Sequence, residues 1–388
     1  MAPMRGHSAV QKHDEKMSIR NIRSDDPPPR ASPGPVALAA MTAGLPLVDV
    51  GGLRGSSSPD GRAATAERGA AGDDTERGSS GSAAVARAID AACRRFGFFR
   101  VTGHGIDPRR LTELDRLARA FFAQSAPVKE RIGMARGGPA WRGWFPLGGE
   151  LTGGRPDAKE GIYFGAELPS DHPAVLAGRP LHGPNLFPAE PSGLRDAVLD
   201  WMDAMADLGA LLLRAIALGL GLEPDWFATT VTAAPTLLFR IFHYPPGDEQ
   251  GWGVAEHTDY GLLTILAQDR HGGLEVRGPD GWIEVPADPD VFVVNLGDML
   301  ERMTGGRYRS TPHRVRNTSG HGRLSFPFFL DPSWDAVCPA LPLADTPPRD
   351  DDVTRWDGAD PRGWDGTYGD YLTAKVARVF PQLGHHLT

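Results

Sequence analysis

The feature that most constrains the fold of this chain is a set of polar residues that occur in pairs two positions apart. His257 and Asp259 form the first pair, Arg323 and Ser325 form the second, and His313 stands alone between them. Residues i and i+2 of a β-strand project from the same face of the sheet. Aliphatic, β-branched and aromatic residues follow each pair, a composition typical of strands. The pattern therefore predicts that separate strands bring these five side chains together.

The first three of these side chains have the chemistry of a metal site. Two imidazoles and one carboxylate, from His257, Asp259 and His313, form a set that holds Fe(II) on one face and leaves coordination positions open. A lone His-x-Asp pair is a weak signal, because short motifs recur by chance and most such residues lie in turns or on the surface. The distant His313 and the Arg-x-Ser pair after it favour the metal site over that alternative.

Arg323 lies in an apolar run that continues to Phe329. A guanidinium that faces inward there needs an anionic partner, because an unpaired buried charge is costly. The planar fork of arginine binds a carboxylate through two nitrogens, and the hydroxyl of Ser325 adds a further donor. The segment therefore predicts an anchor for a carboxylate ligand beside the metal.

Six further segments carry a pattern that is specific when they are taken together and in order. They are Leu45–Val50, Phe96–Ile106, Asp157–Gly165, His243–Pro246, Val294–Met299 and Arg307–Val315. With the metal and carboxylate motifs, these segments resemble the isopenicillin-N-synthase-like branch of the Fe(II)/2-oxoglutarate-dependent oxygenases. The resemblance extends from about Leu45 to Phe380. One departure is Phe242, which stands where the family often has Asn and so removes a polar contact near the co-substrate.

The resemblance implies a mainly β protein with flanking helices, in which a double-stranded β-helix (jelly-roll) core is wrapped by N-terminal helices and a long spine helix. The spacing of apolar residues agrees with this fold. It predicts helices at Ala83–Phe96, Arg109–Ala123, Leu194–Leu220 and Gly366–Phe380, with short strands over 235–330.

The resemblance also implies an activity and a set of cofactors. His257, Asp259 and His313 are expected to bind Fe(II), while Arg323 and Ser325 bind the distal carboxylate of 2-oxoglutarate. O2 is then used to hydroxylate, desaturate or cyclise a small organic molecule, 2-oxoglutarate is converted to succinate and CO2, and ascorbate is expected to stimulate turnover.

Two alternatives remain open at the level of sequence. Some relatives bind iron but take the electrons that reduce O2 from their substrate without 2-oxoglutarate, and some of these keep an Arg-x-Ser pair. A catalytically silent small-molecule binding protein on the same scaffold is the other alternative. The intact metal ligands argue against it, since a silent binder has no need of them.

Further residues are candidates on the resemblance alone. Tyr244 is expected to donate its phenol to the distal carboxylate of 2-oxoglutarate, with simple packing as the alternative. Trp141, Arg142, Trp144 and Phe145 fall in a loop where relatives line the substrate pocket, although such a loop can equally be a packed surface.

Charge and cysteine content limit the partners and the compartment. The net charge of −8 and the pI of about 5.8 argue against binding to nucleic acid or to an anionic membrane surface. Cys93 and Cys338 provide no disulfide framework, and the N-terminal residues lack the apolar core of a signal peptide, so a cytoplasmic location is expected. The stretch Leu208–Leu222 is interrupted by Arg214 and is typical of a buried helix. The Ala/Gly/Arg-rich composition hints at a secondary-metabolite or amino-acid-like substrate.

Composition also predicts the domain organisation. Residues 1–44 are rich in Pro, Ala, Ser and charge and are expected to form a disordered tail, with Met17 or Met41 as alternative start sites. Residues 45–388 are expected to form a single oxygenase domain, with a low-complexity insertion at 54–82. The jelly-roll core that carries the iron site is expected at about 235–330.

Overall fold

The structure is a computed structural model that describes residues 44–54, 73–246, 251–343 and 363–380. The expected tail, apart from Gly44, and the first part of the 54–82 insertion lie outside the described residues. The helices are α1 (Asp73–Phe96), α2 (Pro108–Phe122), α3 (Ala126–Lys129), α4 (Pro173–Leu176), α5 (Leu194–Gly219), α6 (Trp226–Thr230), α7 (Asp298–Met303) and α8 (Tyr368–Val379). Short 3-10 helices occur at Gly51–Leu53, Glu130–Ile132 and Met134–Ala140.

The strands fall into an N-terminal group and a denser C-terminal group. The first group is β1 (Leu47–Asp49), β2 (Phe98–Thr102), β3 (Gly143–Phe145), β4 (Leu151–Thr152), β5 (Arg155–Pro156) and β6 (Glu160–Gly165). The second group is β7 (Pro235–Tyr244), β8 (Val254–His257), β9 (Leu263–Gln268), β10 (Leu274–Gly278), β11 (Gly281–Glu284), β12 (Phe292–Leu296), β13 (His313–Val315) and β14 (Arg323–Ser333).

Two sheets provide the framework of the site. The larger has the strand order β1-β2-β12-β9-β14-β7-β6-β3, and the smaller has the order β11-β10-β13-β8. Apart from the parallel pair β1–β2, the ladders within the described ranges are antiparallel. Neighbours such as β12, β9 and β14 are far apart in sequence, as a jelly roll requires. The predicted fold class, mainly β with flanking helices, is confirmed.

The larger sheet includes strands from outside the region predicted to be rich in strands, 235–330. Four of its strands (β1, β2, β3 and β6) come from the N-terminal half of the chain, and β14 continues to Ser333. These additions cover sheet edges whose backbone groups would otherwise be unpaired. The sequence pattern marks each strand but not the partner that it extends.

The first helix begins earlier than predicted. It starts at Asp73 rather than at Ala83, so the last part of the 54–82 insertion is helical. Gly81 lies against Gly52, and the hydroxyl of Ser82 donates to the carbonyl oxygen of Gly52 at 3.0 Å. The small residues that made this segment look like a loop are therefore used where the helix passes close to the chain after β1.

The helix α5 supports the larger sheet, as expected of the spine helix predicted at Leu194–Leu220. The helix contacts β9 and β14 of the larger sheet as well as α1 and α2. Its buried residues include Val198, Met205 and Leu212. At Gly209 an added Cβ would lie 2.7 Å from Cδ1 of Leu330, so glycine permits the close approach of helix and sheet. Across the described part of the chain, no helix is both long and apolar enough to cross a membrane.

Candidate active site

A cavity of about 460 Å³ lies between the two sheets, a volume suited to small molecules. Strands β8, β10 and β13 contribute one wall, and β7, β9 and β14 contribute the other. The predicted site residues all line it: His257, Asp259, His313, Arg323, Ser325 and Tyr244. The tertiary structure thus brings together side chains that the sequence separates widely.

The three predicted metal ligands converge at one place in this cavity. His257 ends β8 and lies directly opposite His313, the first residue of β13. The Nε2 atom of each histidine is 3.9 Å from Oδ1 of Asp259, and one ligand atom from each residue can be chosen so that all lie within 4.8 Å of one another. Small movements of the three side chains would allow them to hold one metal ion at normal bond lengths of about 2.0–2.2 Å.

The prediction that His257 and Asp259 lie on one strand is wrong. The strand β8 ends at His257, and Asp259 lies in the loop that follows. The loop rather than the strand pleat therefore directs the carboxylate. Asp259 is close to His257 because only Thr258 lies between them. The i, i+2 spacing therefore identified the correct pair, although the two residues do not share a strand.

Backbone carbonyl groups set the orientation of both imidazoles. Nδ1 of His257 is 2.8 Å from the carbonyl oxygen of Ala255, and Nδ1 of His313 is 3.1 Å from that of Thr311. A carbonyl oxygen can only accept, so each Nδ1 carries the proton and each Nε2 presents its lone pair to the cluster. Burial, together with the nearby His257, lowers the pKa of His313 to about 4, which keeps this ring neutral.

The carboxylate of Asp259 is divided between two tasks. Its Oδ2 accepts hydrogen bonds from the hydroxyl of Thr264 at 2.6 Å and from Nδ2 of Asn295 at 2.7 Å, which leaves Oδ1 facing the histidines. Burial raises the pKa of Asp259, but His313, His257 and the two hydrogen bonds outweigh it and hold that pKa below its usual value. The group is therefore an anion, as a metal ligand must be.

Loss of either hydrogen bond to Asp259 should weaken metal binding. We expect Asn295→Ala and Thr264→Val each to reduce Fe(II) affinity by roughly 10- to 100-fold, because hydrogen bonds to a metal ligand hold it in the orientation that binds the metal. Anaerobic Fe(II) titration would measure it, with Thr112→Val on the exposed face of α2 as the matched control. Affinities equal to that of the wild type would show that Asp259 needs no such support.

Arg323 has one donor without a partner. The residue is fully buried, Nε donates to the carbonyl oxygen of His271 at 3.1 Å, and Nη2 donates to Oε1 of Gln268 at 3.2 Å. Nη1 is buried and has no hydrogen-bond partner among the described residues. A buried donor in this state costs free energy unless a ligand accepts from it, so the arrangement fits a carboxylate.

Ser325 and Tyr244 lie beside this guanidinium. Tyr244 is opposite Arg323 in the ladder between β7 and β14, and its ring lies 4.7 Å from Cζ of Arg323. The hydroxyl of Ser325 lies 3.4 Å from that of Tyr244. Phe242, the departure from the family pattern, is opposite Ser325 and lines the cavity. This end of the cavity thus offers a cation and two hydroxyls against an apolar ring.

The predicted pocket loop does not line the cavity. Trp141, Arg142, Trp144 and Phe145 are all buried, and none is among the cavity residues. Arg142 donates to the carbonyl oxygen of Leu181 at 2.7 Å, and Nε1 of Trp144 donates to Oε2 of Glu160 at 2.9 Å. This part of the chain forms β3 and pairs with β6, so its aromatic side chains serve the packing of the sheet edge.

Sequence reasoning missed several charged residues of the cavity wall. Glu150, Lys159, Arg240 and Asp331 all line it. Lys159 forms ion pairs with Glu150 at 2.8 Å and with Asp157. For Arg240 a signal was present, because it lies on the same face of a strand as Phe242 and Tyr244.

Asp331 should make stability fall as pH rises. Burial raises the pKa of this carboxyl to about 7, even though the hydroxyl of Tyr368 donates to it at 2.5 Å. In the unfolded chain the group ionises near pH 4, so ionisation opposes folding progressively up to about pH 7, by at most about 4 kcal/mol. We expect wild-type Tm to fall between about pH 4 and pH 7 relative to Asp331→Asn and to level off above that range. Asp280→Asn, at an exposed turn, is the control, and parallel profiles for all three proteins would contradict the assignment.

Known protein families match both the N-terminal region and the strand-rich C-terminal region of this chain. Residues 235–332 match the family model of the 2OG-Fe(II) oxygenase superfamily, and residues 72–190 match that of "non-haem dioxygenase in morphine synthesis N-terminal". A Dictyostelium discoideum protein named "probable iron/ascorbate oxidoreductase" is 43% identical over 329 residues, which cover 78% of this chain and 91% of the relative. A 1-aminocyclopropane-1-carboxylate oxidase of the same organism is 33% identical over 338 residues, covering 76% and 90%. The crystal structure of Neurospora crassa T7H with alpha-KG and thymine has a TM-score of 0.67 and 25% identity, covering 86% of this chain and 96% of that one.

The chain belongs to the 2OG-Fe(II) oxygenase superfamily. It is an Fe(II)/2-oxoglutarate-dependent dioxygenase that acts on a small molecule with Fe(II) and 2-oxoglutarate. The family, fold class, activity and cofactors predicted from the sequence are thereby confirmed. The roles of individual residues stay predictions.

Proposed function

We propose that this enzyme oxidises an unactivated C–H bond of a small organic molecule, and that Nε2 of His257, Nε2 of His313 and Oδ1 of Asp259 hold the Fe(II). The convergence of these atoms within 4.8 Å of one another carries the proposal. Two imidazoles and one carboxylate on one side of the ion would leave the other side open to ligands. The fixed Nδ1 contacts support the assignment, because they prepare both rings before any metal binds.

The co-substrate extends from the metal to Arg323 in this proposal. The orphaned Nη1 of Arg323 supports a bond to the distal carboxylate of 2-oxoglutarate, and the hydroxyls of Ser325 and Tyr244 lie close enough to contribute further donors. Because Arg323 is fully buried, such a bond would form in a low dielectric, where charge-assisted pairs are strong.

Fe(II) and 2-oxoglutarate, when bound, supply the oxidation of a C–H bond by O2 together with the conversion of 2-oxoglutarate to succinate and CO2. The protein contributes position and shelter. Strands β7, β8, β13 and β14 hold every site residue except Asp259, which lies in the loop after β8. Apolar residues of the cavity, among them Phe98, Leu266 and Val315, limit the access of water. Thr264 and Asn295 keep Oδ1 of Asp259 turned to the metal.

Anaerobic addition of Fe(II) and 2-oxoglutarate tests this function. We expect a weak visible charge-transfer band from the chelate, followed by succinate release once O2 and a substrate are supplied. Iron binding without the band would favour the 2-oxoglutarate-independent oxidase, a comparison made pertinent by the 1-aminocyclopropane-1-carboxylate oxidase relative. Failure to bind iron would favour a silent binding protein.

Other features of the protein are proposed on indirect support. The name of the 43% identical relative supports stimulation by ascorbate. The net charge of −8 supports a site that takes no nucleic acid, and two buried free cysteines, Cys93 and Cys338, support a reducing cytoplasmic location. We also propose that 45–388 fold as a single oxygenase domain.

A further inference from the structure

A second arginine faces the cavity at a distance from the first. Arg240 lies on β7 two residues before Phe242 and four before Tyr244, and all three side chains line the cavity because alternate residues of a strand share a face. Four residues of strand span about 13 Å. Tyr244 is directly opposite Arg323, so Arg240 lies farther from the co-substrate anchor than a five-carbon diacid can reach.

Two aromatic rings confine the guanidinium of Arg240. Its Cζ lies 4.1 Å from the ring centre of Tyr163 and 4.6 Å from that of Phe329. Rings at this distance are in cation–π contact with the guanidinium, whose N–H bonds lie in its own plane and point to its edge. The Nε atom is buried and has no hydrogen-bond partner among the described residues. The edge of Arg240 is therefore free to bind an acceptor that the described part of the protein does not provide.

The carboxylates near Arg240 form no direct ion pair with its guanidinium. Within the described ranges, no carboxylate oxygen forms an ion pair with Arg240 within the 4 Å that define one. Glu150, which is close enough to affect it, is engaged by Lys159 at 2.8 Å and by the hydroxyl of Tyr163. Burial lowers the pKa of Arg240, but Tyr163 and Glu150 outweigh this effect and raise it, so the side chain stays a cation. Arg240 is thus a buried cation without a direct ion-pair partner among the described residues.

Arg240 lies on the side of the cavity that leads to the metal ligands rather than beside the co-substrate anchor. Phe329, one of the two rings beside it, is directly opposite Thr264 in the ladder between β14 and β9. Thr264 in turn donates to Asp259. A small molecule held by Arg240 would therefore lie along Phe329, with its far end directed toward the metal ligands.

We propose that the N–H edge of Arg240 binds a carboxylate of the primary substrate, so that the enzyme acts on small organic acids whose carbon body lies against Phe329. This assignment rests on the proposed function for its chemistry, but the anion site itself is a property of Arg240. A carboxylate fits because it is planar, accepts two parallel hydrogen bonds in the plane of the guanidinium and balances its charge. A neutral amide of the same shape would accept a bond but leave the charge uncompensated.

Fluorine NMR can test the anion site without knowledge of the substrate. The full chain would be loaded with Zn(II) in place of Fe(II) and with N-oxalylglycine, an unreactive analogue of 2-oxoglutarate that occupies Arg323. Trifluoroacetate is then added in a chloride-free buffer. We expect saturable broadening of its line by the wild-type protein, loss of that broadening in Arg240→Gln and a weaker effect in Arg240→Lys. Arg214→Gln, which removes an exposed arginine of α5 paired with Asp225, should behave as the wild type.

A matched neutral probe removes the dependence on variants. Trifluoroacetamide has nearly the same shape but no charge, and we expect it to leave the wild-type protein unaffected. Equal broadening by acid and amide, equal broadening in Arg240→Gln, or no broadening by the wild type would each overturn the proposal. The proton lines of N-oxalylglycine in the same samples report the co-substrate site separately. If that analogue does not bind but the trifluoroacetate effect still depends on Arg240, the proposed function fails and the anion site stands.

Turnover gives the second arm of the test. Pairs of organic acids and their primary amides, such as phenylacetate with phenylacetamide and hexanoate with hexanamide, would be screened for stimulation of succinate release. We expect stimulation by acids only, with kcat/KM reduced about 100-fold in Arg240→Gln and about tenfold in Arg240→Lys, mainly through KM. Stimulation by amides alone, or acid turnover indifferent to Arg240, would overturn the substrate class.

Discussion

Replacement of Asp259 by alanine is expected to abolish Fe(II) binding and turnover. The residue supplies the only carboxylate in the cluster, and its Oδ1 is 3.9 Å from Nε2 of both His257 and His313. Loss of a hydrogen bond to a ligand already costs roughly 10- to 100-fold in metal affinity, so loss of the anionic ligand itself should cost more than about 100-fold. Anaerobic calorimetric titration with Fe(II), followed by succinate release, measures both effects.

Two further variants separate loss of the ligand from damage to the fold. Asp259→Asn keeps the shape and an oxygen that can accept from Thr264 and Asn295, but it removes the charge, so we expect it to bind iron almost as poorly as Asp259→Ala. Asp203→Ala, at an exposed position of α5, should match the wild type. Wild-type iron affinity in Asp259→Asn would show that the cluster is not the metal site.

Replacement of Arg323 by methionine should raise the KM for 2-oxoglutarate about 100-fold. The substitution preserves length and apolar packing but removes the buried donor Nη1, which has no hydrogen-bond partner among the described residues. A buried charge pair lost on one side costs about 2–5 kcal/mol, and each 1.4 kcal/mol corresponds to a factor of ten. Iron binding in the absence of 2-oxoglutarate should change little, since Arg323 belongs to the opposite sheet from His257 and His313.

The control for this experiment is an arginine outside the cavity. Arg94→Met removes an exposed guanidinium that pairs with Asp90 on α1, and it should leave the KM for 2-oxoglutarate as it is. Circular dichroism and Tm would establish that Arg323→Met is folded, because Gln268 and the carbonyl group of His271 lose their donor in this variant. A normal KM in a folded Arg323→Met protein would assign the co-substrate carboxylate to another residue.

Much of the candidate site was predictable because its signals are local. The pairs His257 with Asp259 and Arg323 with Ser325 share the two-residue spacing of a strand face, and an apolar run around Arg323 marks burial. The structure places Arg323 and Ser325 on β14 as expected. For Asp259 the same spacing succeeded although β8 has already ended, since only Thr258 separates it from His257.

Failures arose where the outcome depends on partners distant in sequence. Trp141 and Arg142 were candidates for the pocket on the resemblance, with a packed surface as the alternative, and pairing of β3 with β6 makes this region the packed edge of the larger sheet. The first helix extends through a Gly- and Ser-rich segment because Gly81 and Ser82 meet Gly52 from a different element. Neither contact can be predicted from the pattern of neighbouring residues.

The order of residues by itself determined the ligand types, the strands that carry most of them and the family chemistry, because strand period and donor chemistry are properties of neighbouring residues. Only the tertiary structure decided which of the cavity's charges are satisfied. Lys159 meets Glu150 and Asp157, whereas Nη1 of Arg323 and Nε of Arg240 meet no acceptor within the described part of the chain. Whether a buried cation has a partner depends on distances of a few ångströms between strands far apart in sequence, and those distances are set by how the two sheets pack.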